Sequence, residues 1–248
     1  ATMNKYPRDS FDFVHSHGWE SFRAGQLLAE YFHIPHLVTI HNLQLLYRRG
    51  RDLFSKEVDD IEHEIYRKAN YIIAVSDYVK DVICKTEPVA ASKVIRIYNW
   101  IDPEFLFCAS DESIEKLKQD LSPSGEQIVL FVGRITYQKG LDFLLESSQT
   151  VHISCPKTRW VIIGHLSAAM RQKYGKYIND NGSNYIRFIG EQPRTELGRF
   201  YRAADCVVVP SIYEPFGLVA IEAMATGSPI VVSDIDGLRE IVDHEVNG

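Results

Sequence analysis

Two carboxylates eight positions apart, Glu214 and Glu222, bracket the segment EPFGLVAIE, and their setting suggests chemistry. The apolar run Cys206–Val209 reads as a strand ending near Pro210, and the periodicity that follows predicts a helix beginning at Phe216 or Gly217. Glu214 then lies in the loop, and Glu222 about one and a half turns into the helix. Acceptors at two depths can bind two different sets of sugar hydroxyls. A helix start beyond the carboxyl end of a strand offers unpaired N–H groups and partial positive charge, which suit phosphate. Gly217 lets backbone come close to a ligand. The plainer reading is one helix-capping acid and one solvated acid; the Pro-Phe-Gly between them and the small face Ala220, Ala223, Gly227 weigh against it.

A second segment, LFVGRITYQKGLDFLLES, carries cations where the first carries acids. Its strand ends at Gly133, a short loop holds Arg134 and Lys139, and Gly140 precedes an amphipathic helix. A guanidinium fork and a compact ammonium at a sheet edge can clamp a pyrophosphate and stabilise charge growing on a diphosphate leaving group. Taken alone they are ordinary solvated loop charges. Beside the acid motif the clamp is the better account.

Histidines mark the first part of the chain. His15 and His17 in FDFVHSHGW are two apart at a strand end and so face the same side, and His41 follows the buried strand of HLVTIHN. An H-x-H pair can bind metal, yet no third ligand with suitable spacing accompanies it, so no metal site is assigned. For His15 and His36, a hydrogen-bonded ring packed at the sheet edge is the better reading. IEHEIY around His63 and Glu64 does not form H-E-x-x-H, which excludes a metalloprotease helix.

Nine short apolar runs must position these groups: 11–15, 37–40, 71–75, 94–97, 128–132, 160–163, 185–189, 206–209 and 230–233. Segments with three- and four-residue apolar spacing separate many of them, among them 21–32, 57–68, 141–150, 195–204 and 216–226. Continuous apolar strands alternating with helices give an α/β architecture of parallel, doubly wound sheets. The pattern breaks near Tyr98-Asn99-Trp100-Ile101-Asp102-Pro103 and passes through a polar stretch, 109–127, before restarting. Two Rossmann-like domains are therefore expected, 1–103 and 104–248, the first shortened at its start and the second at its end, as in a fragment.

The 248 residues carry a formal net charge of −6, which excludes nucleic-acid binding through bulk positive charge. Cys84, Cys108, Cys155 and Cys206 form no C-x-x-C pair, so reduced thiols are expected rather than disulfides or zinc. The chain has no transmembrane run and no signal peptide, giving a cytoplasmic expectation with peripheral membrane contact left open. Nothing in the pattern sets an oligomeric state.

Together these segments resemble the retaining GT-B glycosyltransferases, in particular family 4 and the related glycogen and starch synthases. EPFGLVAIE resembles the family's E-x7-E motif and GRITYQKG its phosphate loop, with HSHGW, TIHNL, AVSDYVK and YNWID in the family's order. The resemblance implies the following roles. Arg134 and Lys139 hold the diphosphate, and Glu222 binds the ribose hydroxyls. Glu214 sits by the transferred sugar, and the backbone at Phe216, Gly217 and Leu218 faces sugar and phosphate. Base recognition falls to the backbone near Ile189 and Gly190. His41 approaches the sugar from the other domain, and His17 lies on the acceptor side. It further implies catalytic roles for His41, Glu214, Arg134 and Lys139. The anomeric configuration is retained by front-face attack, without cofactor or essential metal, in a cleft whose closure excludes water.

The substrate it implies is a nucleotide-diphosphate sugar, UDP- or ADP-glucose by the similarity of TIHNL and HSHGW to α-glucan synthases. The acceptor is a glycan or small carbohydrate. Departures are Trp100 in the linker, Gly164-His165-Leu166-Ser167 after the strand ending at Ile163, and Asp236-Gly237 for a double glycine. Other readings are a nucleotide-sugar-binding module without turnover and a GT-B sugar-nucleotide epimerase. A phosphorylase would need a pyridoxal-lysine motif, and a nicotinamide dehydrogenase a G-x-G-x-x-G after a strand; the sequence has neither.

Overall fold

The computed structural model describes residues 6–7, 9–43, 53–106, 109–178 and 185–248; Cys108 lies outside them. The chain divides into two compact units, Ala1–Asn99 and Trp100–Gly248, where the sequence pattern placed the break after Pro103.

In the first unit, strands β1 (Val14–His17), β2 (His36–Ile40), β3 (Tyr71–Ala74) and β4 (Val94–Arg96) pair in parallel and in chain order. Strand β1 opens at Val14 rather than at Phe11, because its register with β2 starts at the Val14–His36 pair. Helix α1 (Gly18–Phe32) buries Phe22, Gly25, Ala29 and Phe32, one stripe at helical spacing. It ends where His33 turns left-handed, at φ 58°. Helices α2 (Leu53–Lys68) and α3 (Asp77–Thr86) complete the unit. The pattern did not single out α3, which is capped by Ser76 Oγ accepting from the Val79 N–H at 3.1 Å. Phe22, Ile40, Ile65, Ile72 and Ile83 are fully buried, each contributing about 2 kcal/mol of apolar transfer.

In the second unit the polar stretch 109–127, to which the apolar pattern assigned no element, contains helix α4 (Asp111–Leu121), with Ser110 Oγ accepting from the Ser113 N–H. The five strands are β5 (Gln127–Val132), β6 (Thr158–Ile163), β7 (Ile186–Gly190), β8 (Cys206–Val209) and β9 (Ile230–Val232). They lie in the order β7-β6-β5-β8-β9, all parallel. Between them run α5 (Leu141–Ser154), the short α6 (Ala168–Lys173) and α7 (Gly175–Ile178), α8 (Arg194–Ala203) and α9 (Leu218–Ala225).

Both faces of this sheet are buried, which is why its strands read as unbroken apolar runs. Leu130, Val161 and Val207 pack with Tyr201 of α8 and Ala220 and Ala223 of α9. Phe131, Trp160 and Ile162 pack with Leu141, Leu144 and Leu145 of α5. Chain order runs outward from β5 through β6 to β7 and then returns to the opposite side of β5 at β8. That reversal opens a crevice at the carboxyl ends of β5 and β8.

Candidate functional site in the second unit

The loops after β5 and β8 leave neighbouring strands at the point of reversal. After β5, the residues of GRITYQKG turn through a short 3-10 segment, Tyr137–Lys139, and stop at Gly140. Gly140 has φ 68°, and a Cβ there would overlap the carbonyl oxygen of Pro210. Only glycine permits this contact. The Ile212 N–H also donates to Gln138 O at 2.7 Å, so the β5 and β8 loops are stitched together. Lys139 is thereby delivered to Glu214: Nζ lies 2.6 Å from Oε2, with both side chains largely buried.

Glu214 is 8% exposed and held on several sides. Ser211 Oγ donates to Oε2 at 3.1 Å. The Glu214 N–H donates to Asp236 Oδ2, and its carbonyl accepts from the Gly237 N–H, each at 3.1 Å. Asp236 adopts φ 43°, a left-handed conformation that aspartate tolerates, so this departure from a double glycine supplies an anchor for the acid loop.

The helix starts two residues later than Phe216. Gly217 caps α9 at φ 115°, and Leu218 is the first helical residue. Phe216 is buried and Leu218 is 41% exposed. Glu222 therefore sits just over one turn into α9, 6% exposed. Its Oε2 accepts from the Tyr201 hydroxyl at 2.7 Å, and its Oε1 is 3.8 Å from Arg194 Nη2. Burial pushes the Glu222 carboxyl above the usual carboxylate range, against the opposing pull of Tyr201 and Arg194.

Of the other expected residues, Arg134 is exposed on the β5 loop and forms no ion pair among the described residues. Ile189 and Gly190 end β7, where Gly190 has φ 86° and its carbonyl accepts from the Gly164 N–H. Sequence reasoning missed Tyr201, Ser211 and the anchoring role of Asp236. The signal for Tyr201 was a polar tip on the apolar stripe of α8; Ser211 and Asp236 offered only proximity to the acid pair or to a turn.

In the first unit, His17 and His41 meet: Nδ1 of His17 is 2.9 Å from Nε2 of His41, with the rings stacked. Desolvation first, then the neighbouring His17 and His15, lowers the His41 pKa. His15 Nε2 hydrogen-bonds Thr39 Oγ1 at 2.8 Å. His36 is buried with its Nε2 2.8 Å from Ser16 Oγ. The packed, hydrogen-bonded reading fits His36; His15 is hydrogen-bonded as expected but is exposed rather than packed.

The model of the family described as "Glycosyl transferases group 1" matches residues 112–248, and that of "Glycosyltransferase Family 4" matches residues 3–105. The chain belongs to the group 1 glycosyl transferases. It is a GT-B protein related to the glycogen and starch synthases. An uncharacterised glycosyltransferase of Methanocaldococcus jannaschii is 35% identical over 246 residues, covering 97% of this chain and 62% of that protein. A glycogen synthase of Mycobacterium tuberculosis is 29% identical over 245 residues, 96% of this chain and 55% of the synthase. Among solved structures, a sucrose-phosphate synthase of Thermosynechococcus elongatus superposes with a TM-score of 0.81 at 27% identity. That superposition covers 98% of this chain and 60% of the synthase. The chain thus spans less than two thirds of the length of these relatives. Among its described residues, no helix is long and apolar enough to cross a membrane.

Proposed function

We propose that the second unit binds a nucleotide-diphosphate sugar, UDP- or ADP-glucose. The protein to which the chain belongs would transfer the glucosyl group to a carbohydrate acceptor with retention of anomeric configuration. The observation that carries this reading is the meeting of Lys139 with Glu214 at 2.6 Å, beside the start of α9 and at the sheet's point of reversal. A cation, an acid and a helix N-terminus in one crevice answer the separate needs of a diphosphate and a sugar.

In this reading Lys139 and the exposed Arg134 neutralise the diphosphate, and charge growing on the leaving phosphate strengthens both contacts as the glycosidic bond lengthens. The α9 backbone amides at Phe216, Gly217 and Leu218 add dipolar stabilisation. Glu214 accepts from sugar hydroxyls through lone pairs that Lys139 and Ser211 leave open. Glu222 accepts from the ribose, and the backbone at Ile189 and Gly190 receives the base. Retention is assigned to front-face attack with the leaving phosphate assisting proton transfer; no residue is named as a nucleophile. His41 would approach the sugar, and His17 the acceptor. The names of the relatives, one a glycogen synthase and one a sucrose-phosphate synthase, support acceptors from polymer to small phosphorylated sugar.

The test is ligand-induced stabilisation. UDP- or ADP-glucose should raise the melting temperature with the logarithm of its concentration once that exceeds the dissociation constant, and Glu222→Ala should remove the shift. Absence of any shift with common nucleotide sugars would sink the donor reading. Proton NMR of the product formed from labelled donor reports retention or inversion directly.

A further inference from the structure

Tyr201 of α8 is fully buried, yet its hydroxyl donates to a carboxylate, Glu222 Oε2, at 2.7 Å. Its backbone is fixed as well, since Ser228 Oγ, in the turn after α9, donates to the Tyr201 carbonyl at 2.6 Å. The other carboxylate oxygen, Oε1, has a cation beside it: Arg194 Nη2 stands 3.8 Å away on a side chain that is 62% exposed. Glu222 therefore has one oxygen tied down inside the unit and one next to a cation that reaches the surface.

A buried phenol needs an acceptor, but a backbone carbonyl would serve. Setting it instead on a carboxylate that burial disfavours makes sense if that carboxylate is used. We propose that Tyr201 is a positioning residue for ribose recognition: it fixes the plane of the Glu222 carboxylate so that the remaining lone pairs face the vicinal 2′- and 3′-hydroxyls of a nucleoside diphosphate. The inference rests on the donor reading above. It adds the device that turns an otherwise rotatable side chain into a diol receptor. Loss of the tyrosine hydroxyl frees the carboxylate to rotate and removes a donor that favours its charged form.

The probes are UDP and ADP with their 2′-deoxy counterparts, and the reading is the ratio of dissociation constants, deoxyribose over ribose. In Tyr201→Phe the ratio should fall about tenfold, the scale of one hydrogen bond to a charged group, with the ribonucleotide bearing the loss. In Ile162→Val, a packing control in the core on the opposite face of the sheet, melting temperature should drop while the ratio holds. Replacing Tyr201 with 4-aminophenylalanine, a ring of similar shape with a weaker donor, should restore part of the ratio. If Tyr201→Phe does not fold, that variant decides alone: a ratio lowered severalfold supports the role, and an unchanged one overturns it.

A folded Tyr201→Phe with the wild-type ratio, beside a Glu222→Ala chain that has lost it, removes Tyr201 and leaves the donor reading standing. A Glu222→Ala chain with unchanged ratio and affinity removes both.

Discussion

Lys139 and Glu214 are 75 residues apart in the chain and 2.6 Å apart in space, with only 21% and 11% of their side chains exposed. Their pairing offsets the desolvation of both charges, so removing one partner leaves the other stranded. Lys139→Ala should destabilise by about 2 kcal/mol, less than the roughly 3–5 kcal/mol of a fully buried pair. Urea denaturation of Lys139→Ala, Glu214→Gln and the double variant measures it. Costs that simply add would show that the two groups do not interact.

Gly140 makes the pairing possible, and its replacement should break it. Gly140→Ala places a methyl group against the Pro210 carbonyl at a φ of 68°. The cost should be about 2 kcal/mol or more, and nucleotide affinity should fall because Lys139 moves with the loop. A variant with wild-type melting temperature and affinity would contradict this.

Glu222 should be bought at the expense of stability. Burial raises its folded pKa above the ordinary carboxylate value, so the folded state binds the proton more tightly than the unfolded one. Its contribution favours folding at low pH and is lost as pH rises through the folded pKa. Glu222→Gln should therefore raise the melting temperature of the ligand-free chain at neutral pH, by a few degrees at most. The same change should weaken nucleotide binding. Calorimetry with and without UDP separates the two effects.

The histidines carry the opposite dependence. His15, His36 and His41 are each held below the ordinary imidazole value, chiefly by desolvation and then by neighbouring histidines. The unfolded chain thus takes up protons first. Their contribution is complete above the unfolded value, about 6.5, and is lost as pH falls from there through the folded pKa values. Melting temperature should fall between pH 7.5 and 5.5, and more gently in His36→Asn. Since Glu222 pulls the other way, the difference in slope between the two proteins is the quantity to read. Identical slopes would refute the assignment.

Strands β5 and β6 were legible because burial on both faces writes them as apolar runs: Leu130-Phe131 and Val161-Ile162 needed no neighbours to be recognised. Helix α4 was not, because its apolar positions Ile114, Leu117 and Leu121 are sparse among charges, although Ser110 stands where an N-cap should. At the site, residue types pointed to cation, acid and diol chemistry. That Lys139 contacts Glu214 was not readable, since the contact depends on β8 returning beside β5. Tyr201 escaped for a related reason. On α8 it continues an apolar stripe, and a hydroxyl serving a carboxylate 21 residues away leaves no local mark.

The return of β8 to the side of β5 has a kinetic consequence. Every part of the acid–cation crevice depends on the Val129–Cys206 and Leu130–Val207 register, a closure over dozens of residues that includes two intervening strands. Such closures are slow relative to helix formation. During refolding, far-UV ellipticity should recover before the capacity to bind nucleotide, and the lag between them times the docking of β8 against β5.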